Sequence, residues 1–419
     1  MSRVKILPSV LRGRLTVPLS KSEAHRVILC RALAGEKIPL SPGKDESADL
    51  RATQSAADAL LSPAYDESHP KILDCGESGS TLRFLIPVAA ALNRTAVFLG
   101  HGRLPDRPLR VYARCLPPHG VSLDPPDALL PLKVTGPLEP GVFFLPGNVS
   151  SQFVSGLMLA LPLLRGGSEI RLTSSLESAP YADLTARVQQ KFGVTVQKTS
   201  YGWKIPGNQR YRGNPGYRIE RDWSQAAFFL AAGALGGPVE LCGLNPDSAQ
   251  GDRSAEQIFQ KFGARISWKN GILSVRAGEK PEIRPAAEME IDACQIPDLV
   301  PALAAAASLL PGFRTRITHA GRLRLKESDR LAAMAEGLNR LGGRVKELPD
   351  GLLIAGVPSL SGGTAEGFGD HRVVMALAVA ALKARDATVL TDAQSVRKSY
   401  PGFFRDYNRL GGKAYVMGD

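Results

Sequence analysis

The chain has 419 residues, too many for one ordinary core, and 44% of them are apolar, the proportion of a globular protein rather than a disordered one. Its formal net charge is +12, which suits nucleic acid, an acidic surface or small anionic substrates. The basic residues are scattered singly beside Gly, Ser and Asp, and aromatics make up only 6%, so the balance favours small anions over nucleic acid.

The N-terminus, MSRVKILPSVLRGRL, lacks the apolar core of a signal peptide. The longest uncharged apolar run, Leu299 to Phe313, contains two prolines and falls short of the roughly 18 residues that span a bilayer. No membrane segment is expected. Cys30, Cys75, Cys115, Cys242 and Cys294 form no CxxC pair and lie mostly in apolar surroundings, which predicts reduced, buried thiols in a cytosolic protein.

In chain order, one kind of segment recurs: a polar turn followed by an Ala/Leu-rich helix apolar nearly all round. The copies are SKSEAHRVILCRALA from Ser20, SGSTLRFLIPVAAAL from Ser78, SSQFVSGLMLALPLL from Ser150, WSQAAFFLAAGAL from Trp223, IPDLVPALAAAASLL from Ile296 and GDHRVVMALAVAAL from Gly369. Helices of this kind belong in the middle of a domain. Between them lie amphipathic segments that end at Gly before a short β-like run: VYARCLPPHGVSL, VQQKFGVTV, IFQKFGARISW, MAEGLNRLGGRVKEL and FRDYNRLGGKAYV. SAADALLSPAYDESHPKILD reads as a degenerate first copy. The pattern predicts an α/β architecture of six repeated units, three per domain, with buried helices, and not a solenoid. Each buried helix starts with polar residues, and its free N–H groups suit an anion. Lys21, Arg26, Arg83 and Arg372 near those starts add charge.

The densest charge cluster is LRLKESDRL, Leu323 to Leu331. Read as a helix, it puts Lys326 and Arg330 on one face with Glu327 beside both. A carboxylate held between cations is a way to place an acid/base group next to a bound anion. The chain has no GxxxxGK[ST] loop, no GxGxxG after a strand and no GxSxG elbow. Its six histidines lack metal-ligand spacing, so neither a metal nor a cofactor is expected. His371, between Asp370 and Arg372, could help hold an anion.

Taken together and in order, SKSEAHR, GESGSTLRF, GRLPDRP, SSQF, SAPY, IPD, LRLKESDR, GDHR and RKSYPGF resemble the 5-enolpyruvylshikimate-3-phosphate synthase family over essentially the whole chain. The resemblance implies a two-domain inside-out α/β barrel of six βαβαββ-type units. One domain would span 19–220, the other 1–18 plus 221–419, with the active site in the cleft between them. It implies transfer of the enolpyruvyl group of phosphoenolpyruvate to the 5-hydroxyl of shikimate 3-phosphate, with release of phosphate, in a cytoplasmic monomer. Carried over by motif, Lys21, Ser22, Arg26, Ser150, Ser151, Gln152, Ser178, Tyr181, Asp298 and Lys326 would hold shikimate 3-phosphate. Lys21, Gly79, Arg103, Gln152, Arg330, Arg372 and Lys398 would hold phosphoenolpyruvate. Glu327 is the expected acid, Asp298 the base, and Lys21 shares the proton work. Two positions depart from the pattern: Glu77 and Arg322 stand where many or some members have Asn. Gly79, where insensitive members often carry Ala, implies inhibition by glyphosate. The related UDP-N-acetylglucosamine enolpyruvyl transferases carry a reactive Cys before their Arg-Pro motif, and HGRLPDRP has none. The RNA-terminal phosphate cyclases, with a related fold, need a catalytic His and a nucleotide.

Overall fold

The structure, a computed structural model, describes residues 2–36, 46–62, 69–278 and 288–417. The chain divides into a discontinuous unit, Met1–Ser20 with Glu220–Asp419, and a continuous one, Lys21–Ile219. The first segment supplies strands β1 (Arg3–Leu7) and β2 (Gly13–Thr16).

The continuous unit opens with helices α1 (Lys21–Leu33) and α2 (Ala48–Leu61). Next come β3 (Lys71–Asp74), α3 (Gly79–Ala91), β4 (Ala96–Leu99), α4 (Arg110–Cys115), β5 (Ser122–Asp124) and β6 (Leu132–Thr135). The same order returns as β7 (Val142–Leu145), α5 (Ser151–Ala160), β8 (Ser168–Leu172), α6 (Ala179–Lys191), β9 (Gln197–Thr199) and β10 (Gly202–Ile205). Each βαβαββ copy closes its own four-stranded sheet, β3-β4-β6-β5 and β7-β8-β10-β9. In each, the first two strands are parallel and the rest antiparallel. A parallel pair needs a crossover, and the apolar helix provides it.

The discontinuous unit continues with α7 (Trp223–Leu235), β11 (Val239–Cys242), α8 (Ala255–Lys261), β12 (Arg265–Lys269) and β13 (Ile272–Arg276). Then follow β14 (Glu288–Asp292), α9 (Val300–Ala307), β15 (Arg314–Thr318), α10 (Arg330–Arg340), β16 (Val345–Leu348) and β17 (Gly351–Ala355). The last run is β18 (Gly363–Ala365), α11 (His371–Ala380), β19 (Thr388–Leu390), α12 (Phe403–Arg409) and β20 (Lys413–Met417). The middle run forms the sheet β14-β15-β17-β16 by itself. The other two each take a strand from the N-terminal segment. β2 pairs parallel with β11, in register Gly13 to Val239, and β1 lies antiparallel between β19 and β20. Among the described residues, five sheets therefore share one spatial strand order, three of them from a continuous run of chain, and α1 and α2 carry no sheet of their own.

The apolar segments form the helices that fill the two cores. α7, α9 and α11 pack on one another in the discontinuous unit, and all eight residues of α9 are buried. In the continuous unit α3 packs on α5, and α1 on α2 and α6. Small side chains allow these close crossings, and helices apolar on every side leave no face for water. Among the described residues, no helix is long and apolar enough to cross a membrane.

Two expectations are corrected. LRLKESDRL is not one helix: Gly321–Leu325 is a 3₁₀ turn, Lys326 is extended, and α10 starts only at Arg330. Asp329 causes the late start, because its side chain accepts from Ala332 N at 3.1 Å and caps the helix. Cys242 and Cys294 are half-buried, unlike the buried Cys30, Cys75 and Cys115, because they sit at or just past strand ends. The stretch SAADALLSPAYDESHPKILD contributes α2 and β3, and its residues 63–68 lie outside the described residues.

Candidate active site

In the discontinuous unit one buried arginine organises the charged side chains. Arg330, at the first position of α10 and 1% exposed, donates from Nε to Asp370 Oδ2 at 2.8 Å. Its Nη1 donates to Asp298 Oδ1 at 3.0 Å and its Nη2 to Glu327 Oε2 at 2.6 Å. Asp370 also caps α11, accepting from Arg372 N at 2.8 Å and from Ser328 Oγ at 3.1 Å. Asp298, on the 3₁₀ turn before α9, faces Arg372 Nη2 at 3.3 Å and Lys326 Nζ at 3.9 Å. Arg372 donates further to Asp298 O and to Ser224 Oγ in the first turn of α7, both at 3.0 Å. Lys398 Nζ donates to Gly369 O at 2.8 Å, and Arg322 donates to Cys294 O. The starts of α7, α9, α10 and α11 thus meet around Asp298 and Arg330.

The electrostatics follow from this packing. Burial pushes Asp298 up, but Arg372, Lys326 and Arg330 outweigh it and hold the carboxyl well below the usual carboxylate range. Burial pulls Lys326 down to about 8, against the opposing pull of Asp298. Burial also works against the Arg330 charge, yet Asp370, Glu327 and Asp298 more than offset it. Arg322, Lys326, Arg330, Arg372 and Lys398 outnumber Asp298, Glu327 and Asp370. A partly desolvated cluster with surplus cations is built to take an anion.

In the continuous unit, Lys21 at the start of α1 pairs with Asp49 of α2, Nζ to Oδ2 at 2.7 Å. At the start of α3, a β-carbon on Gly79 would stand 2.8 Å from Arg107 Cζ and Nη1 and 2.8 Å from Arg83 Nη1. Two guanidiniums therefore lie over a helix N-terminus, and a β-carbon at Gly79 would push them aside. Arg83 donates to Gln152 Oε1 at 2.6 Å and Pro108 O at 3.2 Å, and stacks over the Phe153 ring. Gln152 in turn donates to Ser80 Oγ at 2.9 Å. Arg107 is buried, and its Nε has no hydrogen-bond partner.

Ser150 caps α5, accepting from Gln152 N at 3.3 Å, with Ser151 buried behind it. Ser178 is buried in the left-handed region (φ 56°) before α6 and makes no side-chain cap bond. Tyr181, one turn on, is half-buried. Arg26 is committed to the protein: it donates to Thr185 Oγ1 (2.7 Å), Ser155 Oγ (3.1 Å), Tyr181 O (2.8 Å) and Ser22 O (2.5 Å). Burial lowers it to about 10, so it stays charged at neutral pH.

Within the discontinuous unit the structure brings Asp298, Lys326, Glu327, Arg330 and Arg372 together, with Lys398 at the turn before α11. Within the continuous unit it brings Gly79 and Gln152 to Arg83. It does not bring Arg103 there: Arg103 is exposed, and Arg107, four residues on in the same motif, occupies the position beside Gly79. Glu77 packs its carboxylate against Gly102 in the turn that carries Arg103. Sequence reasoning missed Arg107, Asp49 and Ser224. GRLPDRP offers two arginines, and only burial tells them apart. Asp49 gave a faint signal, as an acid in the first turn of a helix.

The fold is that of solved enolpyruvyl transferases. It matches the EPSP synthase of Acinetobacter baumannii over 100% of both chains, with a TM-score of 0.78 and 25% identity. It also matches the enolpyruvyl transferase NikO from Streptomyces tendae over 99% of both chains, with a TM-score of 0.73 and 17% identity. In sequence, the model of the EPSP synthase (3-phosphoshikimate 1-carboxyvinyltransferase) family matches residues 7–407. The 3-phosphoshikimate 1-carboxyvinyltransferase of Clostridium acetobutylicum is 42% identical over 99% of each chain, and that of Clostridium perfringens 40% identical over 98% of this chain and 99% of its own. The chain belongs to the EPSP synthase family.

Proposed function

We propose that the enzyme transfers the enolpyruvyl group of phosphoenolpyruvate to the 5-hydroxyl of shikimate 3-phosphate and releases phosphate, in the shikimate pathway to aromatic amino acids. The observation that carries the reading is the cluster around Arg330, where two candidate acid/base carboxylates sit among a surplus of buried and half-buried cations. Both substrates carry a phosphate and a carboxylate, which such cations neutralise.

The chemistry is addition followed by elimination. Glu327 protonates the methylene carbon of phosphoenolpyruvate, which leaves oxocarbenium character on the neighbouring carbon. Asp298 takes the proton of the attacking 5-hydroxyl. Elimination then breaks the bond between that carbon and the phosphate oxygen while Glu327, now a carboxylate, takes a proton back from the methyl group, so the double bond is restored and the proton held by Asp298 is free to leave with the phosphate. In the ligand-free protein Asp298 is a weak base, because three cations hold its charge. Substrate anions bound to Arg330, Arg372 and Lys326 compete for that charge and raise its proton affinity. Lys21, oriented by Asp49, shares the proton work.

Shikimate 3-phosphate is assigned to Lys21, Ser22, Ser150, Ser151, Gln152, Ser178, Tyr181 and Lys326. Arg26 supports them by holding the backbones of Ser22 and Tyr181. Phosphoenolpyruvate is assigned to Lys21, Gly79, Gln152, Arg330, Arg372 and Lys398, with Arg107 in the place expected for Arg103. Residues of both units serve the one reaction. The architecture is read as an inside-out α/β barrel of six units, with α1 and α2 as the least complete copy, and domains at 19–220 and 1–18 plus 221–419.

Asp298→Asn and Glu327→Gln test the assignment. Each is expected to lower kcat by about 10²- to 10⁴-fold with the fold retained, the usual contribution of a positioned acid or base. A folded variant with near-normal kcat removes that residue from its role.

A further inference from the structure

A buried line of side chains runs inward from the start of α3. Ser78, its cap, accepts from Thr81 N at 3.2 Å and from Thr81 Oγ1 at 2.7 Å. Thr81 Oγ1 lies 2.5 Å from Thr53 Oγ1 of α2, and Thr53 Oγ1 lies 2.7 Å from His25 Nδ1 of α1. All four residues are at most 1% exposed, and His25 Nε2 has no hydrogen-bond partner. Burial, helped by Lys21 and Arg26, keeps the imidazole neutral. A neutral ring carries one N–H. Placing it on Nδ1 uses it in the 2.7 Å bond, whereas placing it on Nε2 buries a donor with nothing to meet.

We propose that His25 is a positioning residue for phosphoenolpyruvate, fixing the Ser78 hydroxyl as an outward proton donor through Thr53 and Thr81. With Nδ1–H donating to Thr53, the Thr53 hydroxyl donates to Thr81 and the Thr81 hydroxyl to Ser78. Ser78 Oγ then already accepts twice, so its own proton turns away from Thr81, at the residue next to Gly79, over which Arg83 and Arg107 converge. Thr53 could instead donate to Asp49 O, but that oxygen is farther, at 3.2 Å. That choice would turn the Thr81 and Ser78 protons inward. The ring thus leaves the Thr53 proton free for Thr81, the nearer acceptor at 2.5 Å against 3.2 Å, and the chain adds a neutral donor beside the two guanidiniums.

The inference rests on the assignment of phosphoenolpyruvate to the start of α3, so Gly79→Ala is measured alongside. Thr81→Val keeps the shape and removes the hydroxyl, and His25→Leu removes the ring donor. Each is expected to raise KM for phosphoenolpyruvate about tenfold, the loss of one hydrogen bond to a charged group. KM for shikimate 3-phosphate and kcat should stay within about twofold, and the double variant should be no worse than the worse single one, as for one shared chain. Thr81→Ser and His25→Asn, which keep a donor in place, should stay near wild type. An unchanged phosphoenolpyruvate KM in Thr81→Val overturns the proposal, as does an equal rise for shikimate 3-phosphate or a multiplicative double variant. If Gly79→Ala also leaves the phosphoenolpyruvate KM unchanged, the assignment to α3 fails instead.

Discussion

Lys326 makes the charge balance at Asp298 sensitive to pH near neutrality. It is half-buried, with 24% of its side chain exposed, and desolvation pulls its pKa down to about 8, so its positive charge is present below that pH and lost above it. The contribution of Lys326 to anion binding should therefore fade as pH rises from 7 to 9. The expected result is a fall in kcat/KM for shikimate 3-phosphate on the alkaline side, approaching about tenfold per pH unit, since kcat/KM reports the free enzyme. Lys326→Arg keeps its charge throughout this range and should flatten that limb, at some cost in absolute rate from altered geometry. The same fall in Lys326→Arg as in wild type would assign the titration to another group. At this scale the sequence was legible for charge and motif, and not for burial. Arg103 and Arg107 look alike on paper, and only the burial of Arg107 against Gly79 separates them. Arg26 carries a motif signal for substrate, and four of its five N–H groups already serve Thr185, Ser155, Tyr181 and Ser22.

Among the elements, the contact of α3 with α5 controls where Arg83 stands. Gly156 in α5 lies against Arg83 O and Tyr112 Oη, both too close for any β-carbon. Tyr112 itself shares its one hydroxyl proton between Arg83 O at 2.6 Å and, more weakly, Phe153 O at 3.2 Å, tying α4 to the two buried helices. Helix propensity alone says Gly156→Ala should stabilise by about 1 kcal/mol. Overpacking against a backbone oxygen costs about 1–3 kcal/mol, so the net expectation is destabilisation, read as a lower denaturant midpoint at unchanged slope. A higher midpoint would mean that α3 and α5 separate easily. The buried helices were the most legible elements, because Ala/Leu-rich segments after a polar cap have one reading. The start of α10 was less so. Charge spacing in LRLKESDRL suggested helical neighbours, but Asp329 caps, and Lys326 and Glu327 come to Arg330 from an extended turn.

For the whole molecule, the repeat of apolar and Gly-ended helices carried the α/β class, because both periodicities are local. Sheet membership was not legible. β1 and β2 pair with strands more than two hundred residues away, and nothing in RVKIL or GRLT specifies β20 or β11 as a partner. The short strands, several of only three residues, leave little alternation to read. The central claim is that these cation clusters serve one reaction on two phosphorylated carboxylates. The most direct test is phosphate release from purified protein given phosphoenolpyruvate and shikimate 3-phosphate, without added metal. The account predicts release that requires both substrates and is suppressed by glyphosate, with suppression weakened in Gly79→Ala. Release from phosphoenolpyruvate alone, or none with both substrates present, would contradict it.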